Sequence, residues 1–297
     1  MKRILIPALA GSLLATVSLL AAAPAGAAAA PVPTAPVAQG VPAQAVDITV
    51  TPDGFDAPPT LRAGSATLSV RSTDPSGAWL GLVRLRPGVT LDRYLDDLRR
   101  AMGNDPAEAV EGSRAVAGDV EMLGGVAVAH DPASATIPLT PGDHYLIDFR
   151  DVGLPDLASR VRPVRVVPGH TGPQVRPSAR ITLTDGRFDA PAALTGPVLV
   201  VNRSRQHNEA MLMPVRPGTS LADLDVFFTA VDAGRRPTGS PFTGGPTGVV
   251  PLSPGRSVTL SAELPPGNYA LVTWVRDLRT GRMFAAQGMR ALIRVEE

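Results

Sequence analysis

From Val46 onward the chain is written mainly in a period of two. Val46, Ile48 and Val50 are apolar and alternate with polar neighbours, the pattern of a strand with one face in a core. Leu199, Val200 and Val201 form a short continuous apolar run, which predicts a strand buried in the middle of a sheet. Turn residues recur every 8–12 positions, and Asp53-Gly54 and Asp185-Gly186 are hairpin dipeptides. Two stretches change to helical spacing. Leu91, Tyr94, Leu95, Leu98 and Met102 fall on one helix face, as do Leu221, Leu224, Phe228 and Val231. Ser220 followed by Asp223 has the form of a capping box with the shorter acid. Both stripes are expected to pack over an end of a β-sandwich. The segment 232–251 reads as turn-rich connection.

The pattern is written twice. VDITVTPDGFDAPPTLRAGSATLSVRSTD (residues 46–74) and ARITLTDGRFDAPAALTGPVLVVNRS (residues 179–204) share a strand, an Asp-Gly turn, Phe-Asp-Ala-Pro, a leucine and a second β-branched strand. Val83 to Thr90 aligns with Met213 to Ser220, and Pro141 to Tyr145 with Pro266 to Tyr269. The offset falls from 133 residues at Phe55/Phe188 to 130 at Pro87/Pro217 and 125 at Pro141/Pro266. A domain-sized unit of roughly 120 residues, repeated once with small loop differences, accounts for this. The expected organisation is a signal segment over residues 1–30, a Pro/Ala-rich linker over 31–45, one domain over 46–168, a linker over 169–178 and a second domain over 179–297.

Residues 1–30 set the compartment. Lys2 and Arg3 precede an apolar stretch from Ile4 to Ala23, and small residues follow at 25–30, with cleavage expected after Ala28 or Ala30. The alternative is retention as an anchor, since the apolar stretch approaches the roughly 20 residues a spanning helix needs. A cleaved chain is secreted or held at the exterior of the cell envelope, with no later membrane span. Charge is nearly balanced, 28 basic against 27 acidic residues, and 27 of the basic ones are arginine. That removes the electrostatic case for nucleic acid. The absence of cysteine excludes disulfides, thiolate-bound metals and thiol catalysis.

The C-terminal stretch PPGNYALVTWVRDLRTGRMFAAQGMRALIRV (residues 265–295), together with Asn202 to Gly218, resembles cupredoxin-like domains, particularly those exported by actinobacteria. The resemblance covers 179–297 well and 46–168 more faintly. It implies two tandem Greek-key β-sandwiches of cupredoxin-like type, all-β, each with one short inserted helix. The family's blue-copper centre needs two His, a Cys thiolate and a weak axial Met. Carried over, the Cys position falls on Thr273, the second His on Phe284 or, with a one-residue slip, Met283, and the Met on Met289. The first His lies near His207, or on Asn208 when Pro217-Gly218 sets the alignment. The first domain keeps none of the four. The resemblance therefore implies the fold and denies the family's electron-transfer chemistry.

His207, Met283 and Met289 are the candidate metal ligands, with Met211 and Met213 nearby, because imidazole and thioethers suit Cu(I). Strand alternation puts Met211 and Met213 on one face with His207 and Glu209. Against a site stands the ordinary use of Met as core filler. His130 is expected in a loop, His144 in a turn and His170 in the linker. Tyr145 and Tyr269 are expected to be structural corner tyrosines. Trp79, aligned with Glu209, is either core or a binding-edge anchor. Arg150, Arg160, Arg162 and Arg165 are expected on a hairpin, as a solvated face or a site for an anionic partner. No G-x-S-x-G, H-E-x-x-H, P-loop or dinucleotide fingerprint occurs. The expectation is a non-enzymatic exported binding protein, without cofactor, whose partner is a protein or small molecule of the cell envelope. The alternative is a copper-binding protein using the Met/His cluster.

Overall fold

The alternation seen in the sequence is realised strand by strand. In a computed structural model, which describes residues 44–297 except Asn104, His170, Thr171, Pro173 and Gln174, Val46, Ile48 and Val50 are all buried and their neighbours are not. The signal segment, most of the first linker and His170 lie outside the described residues. The first strand starts at Gln44, inside the stretch expected to be linker, and the Gln44 side chain accepts from Arg62 N.

The first half supplies β1 (Gln44–Thr51), β2 (Gly54–Phe55), β3 (Thr60–Arg62), β4 (Gly64–Ser72), β5 (Ala78–Leu85), β6 (Val120–Val128), β7 (Ala133–Leu139), β8 (Gly142–Asp148) and β9 (Arg162–Val167). The second supplies β10 (Ala179–Thr184), β11 (Arg187–Asp189), β12 (Ala193–Leu194), β13 (Val198–Asn202), β14 (Asn208–Pro214), β15 (Thr247–Leu252), β16 (Ser257–Ala262), β17 (Gly267–Val272) and β18 (Arg290–Val295). The strands form an eight-stranded sheet, β11-β10-β13-β16-β7-β4-β1-β2, and a ten-stranded sheet, β12-β18-β17-β14-β15-β6-β5-β8-β9-β3. Read inward from either end, each sheet runs through equivalent strands of the two halves. Each half is a two-sheet, all-β sandwich with a parallel first pair, β1 on β4 and β10 on β13. An all-β, two-sheet sandwich in each half is what the resemblance to cupredoxin-like domains implies.

The sequence gives no sign of how the halves join. β7 pairs antiparallel with β16, and β6 with β15, so both sheets run unbroken from one half into the other. One apolar core lies between the sheets along this length. The Glu121 carboxylate takes Arg84 from its own half and Arg256 from the other. Close backbone approach also fixes the pairing of β5 with β6, the strand of the first half that borders the seam. Gly125 has φ 157°, and a Cβ there would lie 2.0 Å from the Leu80 carbonyl oxygen.

The two sheets differ in what covers them. β13 buries Val198, Val200 and Asn202 but only half-buries Leu199 and Val201, so the apolar run alternates after all. The ten-stranded sheet is buried on both faces through β5, β6, β14 and β15, because helices cover its outer side over a second apolar core. These are α1 (Leu91–Ala101), α2 (Pro106–Asp119), the single-turn α3 (Leu157–Arg160) and α4 (Leu221–Asp232). Thr90 caps α1, accepting from Arg93 N. Asp105 caps α2 ahead of Pro106, and the Ser220–Asp223 box closes around α4. The second half thus has its expected single α-helix. The first carries an additional pair member, α2, whose alanine- and glycine-rich sequence showed no apolar stripe. Gly112 lets it approach α1, since a Cβ there would lie 2.4 Å from Ala101 N.

Other expectations change. His144 is not in a turn: it sits in β8, fully buried, with Nδ1 3.1 Å from the Gly142 carbonyl oxygen. Pairing of β5 with β8 and β14 with β17 makes His144, not Tyr145, the counterpart of Tyr269. Tyr269 does act as a corner, donating to Pro265 O at 2.9 Å. The four arginines are not on one hairpin. Arg150 lies in a 3-10 turn, Arg160 in α3, and Arg162 and Arg165 in β9. Arg150, Arg160 and Arg165 pair with Asp148, Asp156 and Asp143, and Arg162 donates to Phe55 O. Residues 247–251, read as loop, open β15.

Candidate ligand cavity

The helices do not close fully on the ten-stranded sheet. A cavity of about 500 Å³ remains between β5, β6, β14 and β15 on one side and α1, α2, α4 and the segment 274–283 on the other. It straddles the seam: Trp79 and Met122 come from the first half, Glu209, Met211 and Trp274 from the second. Local sequence explains the geometry. β14 reads Asn-Glu-Ala-Met-Leu-Met, so Glu209, Met211 and Met213 share its outer face while Ala210 and Leu212 fill the core between the sheets. His207 precedes the strand on the same face, as the alternation predicts.

Glu209 is the unusual member of the wall. It keeps only 6% of its surface open. Its Oε1 accepts the Trp274 backbone N–H at 2.7 Å, and Oε2 has no protein hydrogen-bond partner among the described residues. Burial pushes its carboxyl up to about 7, against the opposing Trp274 N–H bond. His207 shifts the other way. Burial first, then the Arg86 charge, bring its imidazole down to about 4, so it is neutral at ordinary pH. Asp232 accepts from Arg282 Nε at 2.9 Å and Met283 N at 2.8 Å and pairs with Arg276 at 3.4 Å. Gln206 binds the 276–278 backbone through both ends of its amide. The remaining wall is largely aromatic, thioether and aliphatic.

Met102, just after α1, lines the cavity and is 48% exposed. α2 is tied down across the cavity. Arg114 donates from Nε and Nη2 to the Leu278 carbonyl oxygen at 3.2 and 2.6 Å, linking a helix of one half to a loop of the other.

The three ligand candidates separate. His207 and Met283 line the cavity together. Met289 lies in the core between the sheets, where its sulfur accepts from Asn208 Nδ2 at 3.5 Å. This contact favours the alignment that puts Asn208, rather than His207, at the first ligand position. Asn208, Thr273, Phe284 and Met289 are all buried. Thr273 has no thiolate, Phe284 no donor atom, and the Asn208 amide is engaged with the Met289 sulfur. This donor set does not fit a blue-copper centre. Trp79, left between core and anchor, is half-buried against the cavity. Neither Glu209 nor Trp274 is among the candidate ligands that the sequence pattern offers. The available signal was a lone acid inside an apolar strand, which marks either an edge or a functional site.

No family model matches the chain, and no curated protein matches it. Among solved structures it is similar to reduced auracyanin from Roseiflexus castenholzii, at 20% identity, over 40% of this chain and 95% of that one, with a TM-score of 0.24. Auracyanin B is similar at 15% identity over 42% and 94%, with a TM-score of 0.25. A blue copper oxidase from Nitrosomonas europaea is similar at 12% identity over 85% and 86%, with a TM-score of 0.23. At these scores the similarity carries no argument, and the strand order of the two sheets by itself makes this chain an all-β, two-sheet sandwich.

Proposed function

We propose that the protein is an exported, non-catalytic binding protein whose site is the cavity at the seam, and whose partner is a small, largely apolar molecule of the cell envelope. One observation carries this: a cavity of about 500 Å³, within the range of small-molecule sites, lined mainly by apolar side chains from both halves. The wall offers apolar area with a few polar groups. The Ser113 hydroxyl in the wall donates back to Ala109 O at 2.7 Å within α2, which supports a binding role over a nucleophilic one. Export rests on the pattern of residues 1–30, and among the described residues no helix is long and apolar enough to cross a membrane. The two halves are read as copies of one cupredoxin-like unit, with the former metal positions given over to packing.

The chain reports on its own cavity, because it has two tryptophans and both line it. Titration with neopentylbenzene is expected to change the intrinsic fluorescence saturably. Ala117→Phe, which fills the space from α2, is expected to abolish the change. No saturable change in the parent protein up to the solubility limit counts against the cavity as a site.

A second reading has one specific observation in its favour. His207, Met122, Met211 and Met283 line the same cavity, which offers soft donors for Cu(I). A Cu(I) competition titration of the parent against His207→Ala tests it: tight stoichiometric binding lost in the variant supports this reading, and no binding above buffer removes it.

A further inference from the structure

Four titratable side chains line the cavity: Glu209, His207, Asp232 and Arg276. Asp232 is held by Arg276, by Arg282 and by the Met283 N–H. Arg276 is in turn held by Asp232 and the Gly281 carbonyl oxygen. His207 is neutral, pressed by burial and by Arg86. That leaves Glu209, whose Oε2 has no partner and which forms no ion pair among the described residues. A carboxylate so placed must take a proton or find a positive charge, because leaving it ionised and dry is costly. The same cavity is lined by Trp79, Trp274 and four thioethers, Met102, Met122, Met211 and Met283. Aromatic rings attract cations through their quadrupole, and desolvation strengthens that attraction.

We propose, building on the cavity reading above, that the occupant is an organic cation: an ammonium or quaternary ammonium group on an apolar body, its charge met by the Glu209 carboxylate and the Trp79 and Trp274 rings. The apolar body takes the aliphatic wall below α1 and α2. An anionic ligand is excluded by the same carboxylate, and a neutral one forces Glu209 to keep its proton.

Benzyltrimethylammonium and neopentylbenzene have the same shape and differ by one charge, so the pair isolates the cation. At pH 8 the cation is expected to bind at least about tenfold more tightly, read by the intrinsic fluorescence of the full chain. Glu209→Gln removes the advantage while neopentylbenzene still binds, which shows that the variant is folded and its cavity open. Equal affinities at pH 8, or an advantage that survives Glu209→Gln, overturn the cation and leave the cavity reading standing. Failure of both compounds to bind overturns the cavity reading and the cation with it.

Discussion

Burying Glu209 costs stability that pH can switch on and off. Its carboxyl is raised from 4.5 in the unfolded chain to about 7 in the fold. The folded state therefore binds the proton more tightly between these values, and stability falls as pH rises through that window. Below about pH 4.5 both states carry the proton and the penalty is absent. Above pH 7 both are ionised and it is complete. At 1.36 kcal/mol per unit the penalty is about 3 kcal/mol. Glu209→Gln is neutral at every pH and keeps an acceptor for the Trp274 N–H, so it should escape the penalty. Urea unfolding of parent and variant at pH 5 and pH 8 checks this. The variant is expected to be close to the parent at pH 5 and about 3 kcal/mol more stable at pH 8, roughly 6–12 °C in Tm for a chain of this size. His207, depressed to about 4, gives the opposite slope in both proteins and cancels in the difference. A difference that does not change between the two pH values refutes the reasoning, because it places Glu209 in water.

The remaining predictions concern the frame around the cavity. Gly125→Ala puts a methyl group 2.0 Å from Leu80 O at a left-handed backbone position and should destabilise by more than about 2 kcal/mol, measured by denaturant unfolding. Met289→Leu is a volume-conserving change in the core between the sheets. It should cost under about 1.5 kcal/mol and leave cavity binding unchanged, whereas Met289→Ala should cost about 2–5 kcal/mol. Arg114→Ala releases α2 from Leu278 O; stopped-flow fluorescence should show faster ligand dissociation with a small change in stability.

What the sequence revealed was whatever a local pattern encodes. Val46, Ile48 and Val50 announce their strand because one face of the eight-stranded sheet meets the core and the other meets water. The Ser220–Asp223 box marks a helix start for an equally local reason. α2 was missed because Ala109, Gly112 and Val116 work by close approach to α1 rather than by a broad apolar stripe. The shared sheets were missed because the pairing of β6 with β15 joins residues more than a hundred positions apart, and nothing in either strand names its partner. The site followed the same division. Alternation placed His207, Glu209 and Met211 on one face. It could not say that Trp79, on the equivalent strand of the other half, faces the same space, since that depends on the seam. Met289 looked like a companion of His207 from sequence order alone, yet the chain turns it to the opposite side of the sheet.

The central claim is that one cavity, walled by both halves, takes a ligand. The most direct measurement is fluorine NMR of the full chain carrying 5-fluorotryptophan at its two tryptophans, one from each half. With added benzyltrimethylammonium at pH 8, both resonances should move and should give one common Kd. Movement of only one resonance, two different Kd values, or no movement at saturating ligand contradicts a shared cavity.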